Sequence, residues 1–179
     1  MGNKEEKAIV LDFLPYGYPL EKKMMPLAQA MGLDHFTLLE LVPRRGVKLE
    51  SREIVYIGEG KRDKVYYILG RLSPEKMTES CKNVLSEHLS KLIEEDEQKF
   101  LDFFNKADPI NTRLHQLELL PGFGKKHTLG VLEERKKKPF TSFADVKKRI
   151  SNIPDPKTAI IKRIIEEING GERHNLFVN

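Results

Sequence analysis

The stretch Leu119-Leu120-Pro121-Gly122-Phe123-Gly124-Lys125-Lys126-His127-Thr128 constrains this chain more than any other. Two glycines flank one apolar residue, an apolar pair and a proline precede them, and two lysines follow. The pattern predicts a tight hairpin between two helices. Glycine adopts backbone angles that cost a residue bearing a Cβ, and it lets another backbone come close. Phe123 is expected to point inward and anchor the loop. A second helix starting near Gly124 would leave its first N–H groups and the positive end of its dipole facing outward. Such a start is an anion site, and a phosphodiester suits the two lysines beside it. An ordinary turn without a ligand is the alternative reading.

These residues resemble the helix-hairpin-helix element of DNA- and RNA-binding proteins: apolar-Pro-Gly-apolar-Gly, then three residues, then a small one. Thr128 stands where that element usually has alanine. A weaker second copy follows at Ile153-Pro154-Asp155-Pro156-Lys157, with a helix expected over 159–168. Asp155 and Lys157 are read there as standing in the glycine positions. Asp155 would repel a phosphate and Pro156 has no N–H, so the second hairpin is expected to be structural, with Lys157, Lys162 and Arg163 adding charge at its edge.

Around the hairpin, Asp108-Pro109 marks a boundary and Asn111 or Thr112 is placed to cap a helix with Leu114, Leu117 and Leu120 buried. Beyond it, Leu129 and Leu132 are expected inward, and Arg135-Lys136-Lys137-Lys138 forms a basic end that also complements a helix C-terminus. A capped helix start follows at 140–146, burying Phe143, Val146 and Ile150. The tail beyond Gly170-Gly171 is read either as mobile or as docked through Leu176, Phe177 and Val178.

The N-terminal part reads as β-structure. The run 8–14 ends at Pro15, and 36–42 ends at Pro43, while 54–57 and 65–69 are rich in β-branched and aromatic residues. Residues 47–49 are a candidate short strand, and Leu27, Ala28, Ala30 and Met31 suggest one or two helical turns ending at Gly32. Gly58-Glu59-Gly60-Lys61-Arg62-Asp63 reads as a hairpin-like loop. Four or five short strands predict a small barrel or a strongly bent sheet. Phe36, Tyr56, Tyr66 and Tyr67 are candidate stacking aromatics, with Phe36 and Tyr56 expected to fill the barrel. Adjacent Tyr66 and Tyr67 face opposite sides of a strand, so at most one is core.

Between these parts, Ser73-Pro74 opens a helical stretch with Cys81, Val84, Leu85, His88, Leu89, Leu92 and Ile93 on one apolar face. Glu94-Glu95-Asp96-Glu97 interrupts it before Phe100, Leu101, Phe103 and Phe104, through either a change of buried face or a kink. Four consecutive carboxylates point all round a helix and read as a solvated face. His88 reads as a packed histidine.

Charge is distributed unevenly. Residues 1–43, 44–74, 75–109 and 110–179 carry net −2, +4, −4 and +6, so positive charge collects in two places, as a polyanion partner requires. The single cysteine, Cys81, excludes an internal disulfide and a thiolate cluster. No apolar run approaches the ~20 residues that span a bilayer, and no signal-peptide apolar region is visible, so a cytoplasmic protein without membrane contact is expected. The five histidines lack metal-ligand spacing, and no nucleophile-elbow, P-loop or dinucleotide fingerprint is present. Neither catalysis nor a cofactor is expected.

Over its whole length the chain resembles an archaeal family of predicted RNA-binding proteins that pairs an OB-like β-barrel with a helix-hairpin-helix pair. The residues carrying this are Phe36-Thr37-Leu38-Leu39-Glu40-Leu41-Val42-Pro43, Val55-Tyr56-Ile57-Gly58 with Lys61-Arg62-Asp63-Lys64, and Leu119-Leu120-Pro121-Gly122-Phe123-Gly124-Lys125. The resemblance implies an α+β chain: an OB-like barrel over 1–73, a helical connector over 74–108, and a helix-hairpin-helix pair over 109–179. It implies binding of nucleic acid, RNA more than DNA, without sequence readout. The expected contacts are Gly122, Gly124, Lys125, Lys126, Lys136, Lys137 and Lys138 at the hairpin, with Arg44, Arg45, Lys61 and Arg62 on the barrel. A protein-interaction scaffold is the alternative. A DNA-repair enzyme using Asp145 is a weaker one, since Asp145 sits at a helix start.

Overall fold

The computed structural model describes residues 4–178. The chain forms two compact units, one of Met1–Glu87 with Ile168–Gly171 and Phe177–Asn179, the other of His88–Glu167 with Glu172–Leu176.

The first unit is built on a curled, open antiparallel sheet of five strands, β1 (Lys7–Leu14), β2 (Leu27–Gly32), β3 (Leu38–Pro43), β4 (Ile54–Tyr56) and β5 (Val65–Arg71), in the order β4-β1-β2-β3-β5. Side chains alternate across a strand. One face therefore collects Ala8, Val10, Ala28, Ala30, Leu39 and Leu41, closed by Val55, Ile57, Val65 and Leu49. Three alanines on that face leave room for the sheet to curl, and register shifts at Val10/Asp12, Glu40/Leu41 and Val42/Pro43 bend it further. On the opposite face Asp12, Gln29 and Glu40 lie in register across β1, β2 and β3. Gln29 donates to Lys76 O at 2.7 Å, and its Oε1 accepts from Thr78 N at 3.1 Å. Thr78 Oγ1 donates to Asp12 at 2.6 Å, and Tyr18 Oη donates to Glu40 at 2.7 Å. These bonds satisfy a buried polar row that would otherwise be costly.

Three N-terminal expectations are corrected. Residues 27–32 form a strand, not helical turns. Alanine's helix preference is worth under about 1 kcal/mol per residue, whereas here β1 and β3 pair with both edges of a fully buried strand. Residues 58–63 do not close a hairpin, because β4 pairs with β1 and β5 with β3, placing the two strands at opposite edges of the sheet. Residues 47–49 form no strand; Leu49 reaches the core from a loop.

In the second unit, helix α1 (Glu79–Glu95), whose first half belongs to the first unit, ends at Asp96, where φ −133 and ψ 53 leave the helical region; α2 (Glu97–Lys106) begins immediately after. The acidic cluster is therefore a helix break. Its carboxylates disfavour the C-terminus of α1 and favour the N-terminus of α2. Phe100, Leu101 and Phe104 of α2 are buried, and the Phe104 ring lies 6.0 Å from Phe123 and 6.1 Å from Phe143. α3 (Lys125–Lys137), α4 (Phe143–Arg149) and α5 (Pro156–Asn169), whose last two residues belong to the first unit, complete it. Ser142 caps α4 through Asp145 N at 2.9 Å. Phe143, Val146 and Ile150 are buried as expected.

The tail docks through polar contacts. Arg163, only 4% exposed, donates to Leu119 O and His174 O and pairs with Glu172 and Glu167, and Leu176 N bonds to Glu167. Arg163 is thus an interior residue and not the edge charge expected from the sequence.

Candidate nucleic-acid interface

The glycine loop begins with a turn that its sequence dictates. Phe123 N donates to Leu120 O at 3.0 Å, Pro121 takes the second position, and Gly122 has φ +84. These are the features of a type II turn, which needs a left-handed third residue and therefore glycine. Phe123 turns inward and is 5% exposed. Gly124 is the N-cap of α3 at φ −103, ψ −170, an extended conformation open to any residue, and a Cβ there would meet nothing within 4 Å. The two glycines therefore differ: folding requires the first and makes no demand for the second. Thr128 fits the small-residue position, 5% exposed, with N and Oγ1 both donating to Gly124 O.

No side chain caps α3. The N–H groups of Lys125, Lys126 and His127 have no intrahelical acceptor and face outward with the helix dipole. Lys126 is exposed; Lys125 is exposed, with Nζ donating to Arg113 O at 3.3 Å.

The element before the loop differs from expectation. It is a single 3-10 turn, Gln116–Leu119, and its cap is His115, not Asn111 or Thr112. His115 Nδ1 accepts from Leu117 N at 3.1 Å while Glu118 accepts from His115 N at 2.7 Å. Burial and the nearby Arg135 charge hold the His115 pKa below its ordinary value, which keeps the accepting nitrogen unprotonated. Asn111 instead closes a small turn by accepting from Arg113 N and Leu114 N. Pro109, Pro121 and this turn leave too few residues for an α-helix.

The second hairpin packs directly on the first. A Cβ on Gly122 would lie 3.2 Å from Pro154 Cγ, and His127 Nε2 meets Asn152 O at 3.1 Å. The left-handed residue of this second turn is Asn152 (φ 58), not Asp155 or Lys157. Asp155 caps α5, accepting from Thr158 N at 3.0 Å and Thr158 Oγ1 at 2.7 Å, and it pairs with Lys147. Pro156 opens that helix at a position where a missing N–H costs nothing. A carboxylate already occupies this helix start.

The remaining expected contacts are scattered. Lys136, Lys137 and Lys138 lie about 18–21 Å along α3 from Gly124 at 1.5 Å per residue, so they are not brought to the hairpin. Lys137 pairs with Glu134 at 2.8 Å and Arg135 donates to Phe104 O at 3.2 Å, while Lys136 and Lys138 are exposed. In the first unit the two basic loops do converge. Arg44 Nε donates to Arg62 O at 2.6 Å and Arg62 Nε to Gly58 O at 2.8 Å, leaving Arg45 and Lys61 exposed. Tyr56 does not fill the sheet interior: it is 36% exposed and its hydroxyl accepts from Gly60 N. Phe36 sits in a left-handed turn before β3, half-buried. Tyr66 and Tyr67 are both exposed, stacked edge-on at 5.3 Å.

Two features were invisible in the sequence. Leu129, expected inward, is 59% exposed, and Val131 takes the core position of α3. Beside Leu129 lies a groove of about 380 Å³ walled by Leu114, Leu132, Arg113 and Lys125. Periodicity could not have found it, because the 3-10 turn sets which face of α3 is covered. Among the described residues no helix is long and apolar enough to cross a membrane, and no three of His, Cys, Asp or Glu are gathered to hold a metal ion.

Similar proteins match nearly the whole chain. An uncharacterized protein of Methanocaldococcus jannaschii, MJ0038, is 40% identical over 174 residues, 97% of this chain and 79% of its own length. The crystal structure of Af1531 from Archaeoglobus fulgidus superposes with a TM-score of 0.84 at 46% identity, covering 98% of this chain and all of the other. Residues 4–179 match the model of a family described as a protein of unknown function, DUF655. The chain therefore belongs to the DUF655 family, which has archaeal members.

Proposed function

We propose that this protein binds nucleic acid, RNA in preference to DNA, by gripping phosphates at the loop Pro121-Gly122-Phe123-Gly124 and the N-terminus of α3. The observation that carries the reading is Gly124. It has unstrained backbone angles and open space where a Cβ would stand, at a helix start with no side-chain cap and two lysines behind it. An alanine Cβ would take up part of this open space and narrow the approach of a phosphate oxygen to the free N–H groups of the first turn. The partner hairpin, closed by Asp155 and packed on Gly122, serves as its support, so the pair reads as a helix-hairpin-helix pair whose first helix is reduced to one turn. Contacts of this kind go to phosphate and carry no base sequence.

In the first unit, the order β4-β1-β2-β3-β5 is what a five-stranded Greek-key barrel, open between β4 and β5, would have, in keeping with an OB-like module. Its convergent Arg44–Arg62 loops supply a second cationic surface. A binding role is preferred to catalysis. Asp145, the candidate catalytic carboxylate, is committed to Arg149 at 3.2 Å and to Thr141 N at 3.1 Å, and its pKa is held below the ordinary aspartate value chiefly by that N–H.

The test is binding of labelled RNA and DNA to Gly124→Ala, with Asp155→Ala as control. Gly124→Ala is expected to weaken binding about tenfold with the fold intact, and Asp155→Ala to leave affinity undiminished. Parent-like affinity in a folded Gly124→Ala would remove the hairpin as the contact.

A further inference from the structure

The groove beside α3 has a chemistry that the phosphate reading does not use. Lys125, Leu129 and Leu132 follow one another at i, i+4 and i+7, so they line one face of α3 beginning at its N-terminus. Leu114 and Pro109 supply the opposite apolar wall, and Arg113 stands with Lys125 at the rim. Leu129 leaves most of its surface in water although the helix has no other exposed large apolar residue. His115 and Glu118 of the capping box also line it, and that carboxylate is already engaged by His115 N. The space is therefore small, about 380 Å³, and sets apolar side chains beside the neighbouring cations Arg113 and Lys125. That volume is too small for the long stripe an amphipathic helix would need.

Resting on the phosphate reading above, we propose that this groove holds one unpaired base of a single-stranded nucleic acid. In this arrangement the adjoining phosphate lies at the α3 N-terminus, between Lys125 and Arg113. A nucleotide joins the two properties the groove separates: a flat ring for the Leu129, Leu132 and Leu114 surface, and a negative charge one bond system away for the cationic lip. Charge complementarity selects it over an uncharged apolar segment. Sequence tolerance follows, because every base has an apolar face. A fully paired duplex keeps its bases stacked and presents only phosphates, so it would use the hairpin and leave the groove empty.

The experiment compares Leu129→Ala with the parent on a short single-stranded RNA carrying one 2-aminopurine and on the same sequence as a perfect duplex, with sedimentation of the protein alone alongside. Leu129 is exposed, so the variant should fold. The expected result is a loss of about tenfold in single-strand affinity, from the apolar contact removed, a smaller 2-aminopurine fluorescence change, and duplex affinity within about twofold of the parent. Equal losses on both nucleic acids, or none on either, overturn the base site while leaving the phosphate reading in place. A parent that binds neither nucleic acid overturns both. A parent dimer that Leu129→Ala converts to monomer assigns the groove to a second copy of the chain and overturns the proposal.

Discussion

Replacing each glycine of the loop separately by alanine should give unequal stability results. At Gly122 the left-handed φ of +84 costs an alanine about 1–2 kcal/mol. The new Cβ also sits 3.2 Å from Pro154 Cγ, so the second hairpin must yield. The lower entropy of the unfolded alanine chain returns about 0.4–1 kcal/mol, leaving a net loss of about 1–2 kcal/mol. At Gly124 the backbone angles suit any residue and nothing lies within 4 Å. Alanine there is a poorer N-cap by several tenths of a kcal/mol, and the same entropic gain nearly cancels that cost. The assay is a urea titration followed by the helical circular dichroism signal. With a slope of about 2 kcal/mol per molar urea, Gly122→Ala should lower the midpoint by about 0.5–1 M and Gly124→Ala by less than about 0.2 M. If both substitutions lower it equally, the assignment of one glycine to folding and the other to a ligand fails.

Arg163→Ala removes the cation facing Glu167 in the interior and should cost about 3–5 kcal/mol in a urea melt, whereas Arg163→Met with Glu167→Leu should recover part of it, since Leu119 O, His174 O and Leu176 N still lose their partners; equal damage from both would refute a charge-based account. Burial, with a smaller push from Asp12, raises the Cys81 thiol to about 12, so the folded state holds the neutral thiol. Its contribution is complete below the unfolded pKa of about 8.5 and is lost as pH rises from there through about 12; Cys81→Ser should flatten that alkaline limb of stability against pH, and native iodoacetamide labelling near pH 8 should be far slower than in urea. On duplex, with about three phosphates met by Arg113, Lys125 and Lys126, log affinity should fall with log salt at a slope of about −2 to −3. Reversing Lys136 and Lys138 should leave that slope unchanged, reversing Arg45 and Lys61 measures what the first unit adds, and affinity indifferent to salt points to a protein partner.

Local chemistry was legible in the sequence. Pro121-Gly122 announced a tight turn, Phe123 an inward anchor, Gly124 a helix start, and 140–146 a capped helix start, because each depends on backbone sterics or a hydrogen bond within a few residues. The run 8–14 and its neighbours announced strands through β-branched apolar residues. What failed depended on partners distant in the chain. Residues 27–32 became a strand only because β1 and β3 lay on either side, overriding a weak helical preference. β4 and β5, adjacent in sequence, parted to opposite edges because pairing with β1 and β3 buried Val55 and Val65. Arg163 looks like surface charge in the sequence and became interior once the tail returned to its helix. At the candidate site the sequence determined the turn and the lysines behind it. The packing of Pro154 against Gly122, the exposure of Leu129 and the groove beside it were decided by tertiary structure, because which face of a helix is covered depends on what packs there and not on the helix's own residues.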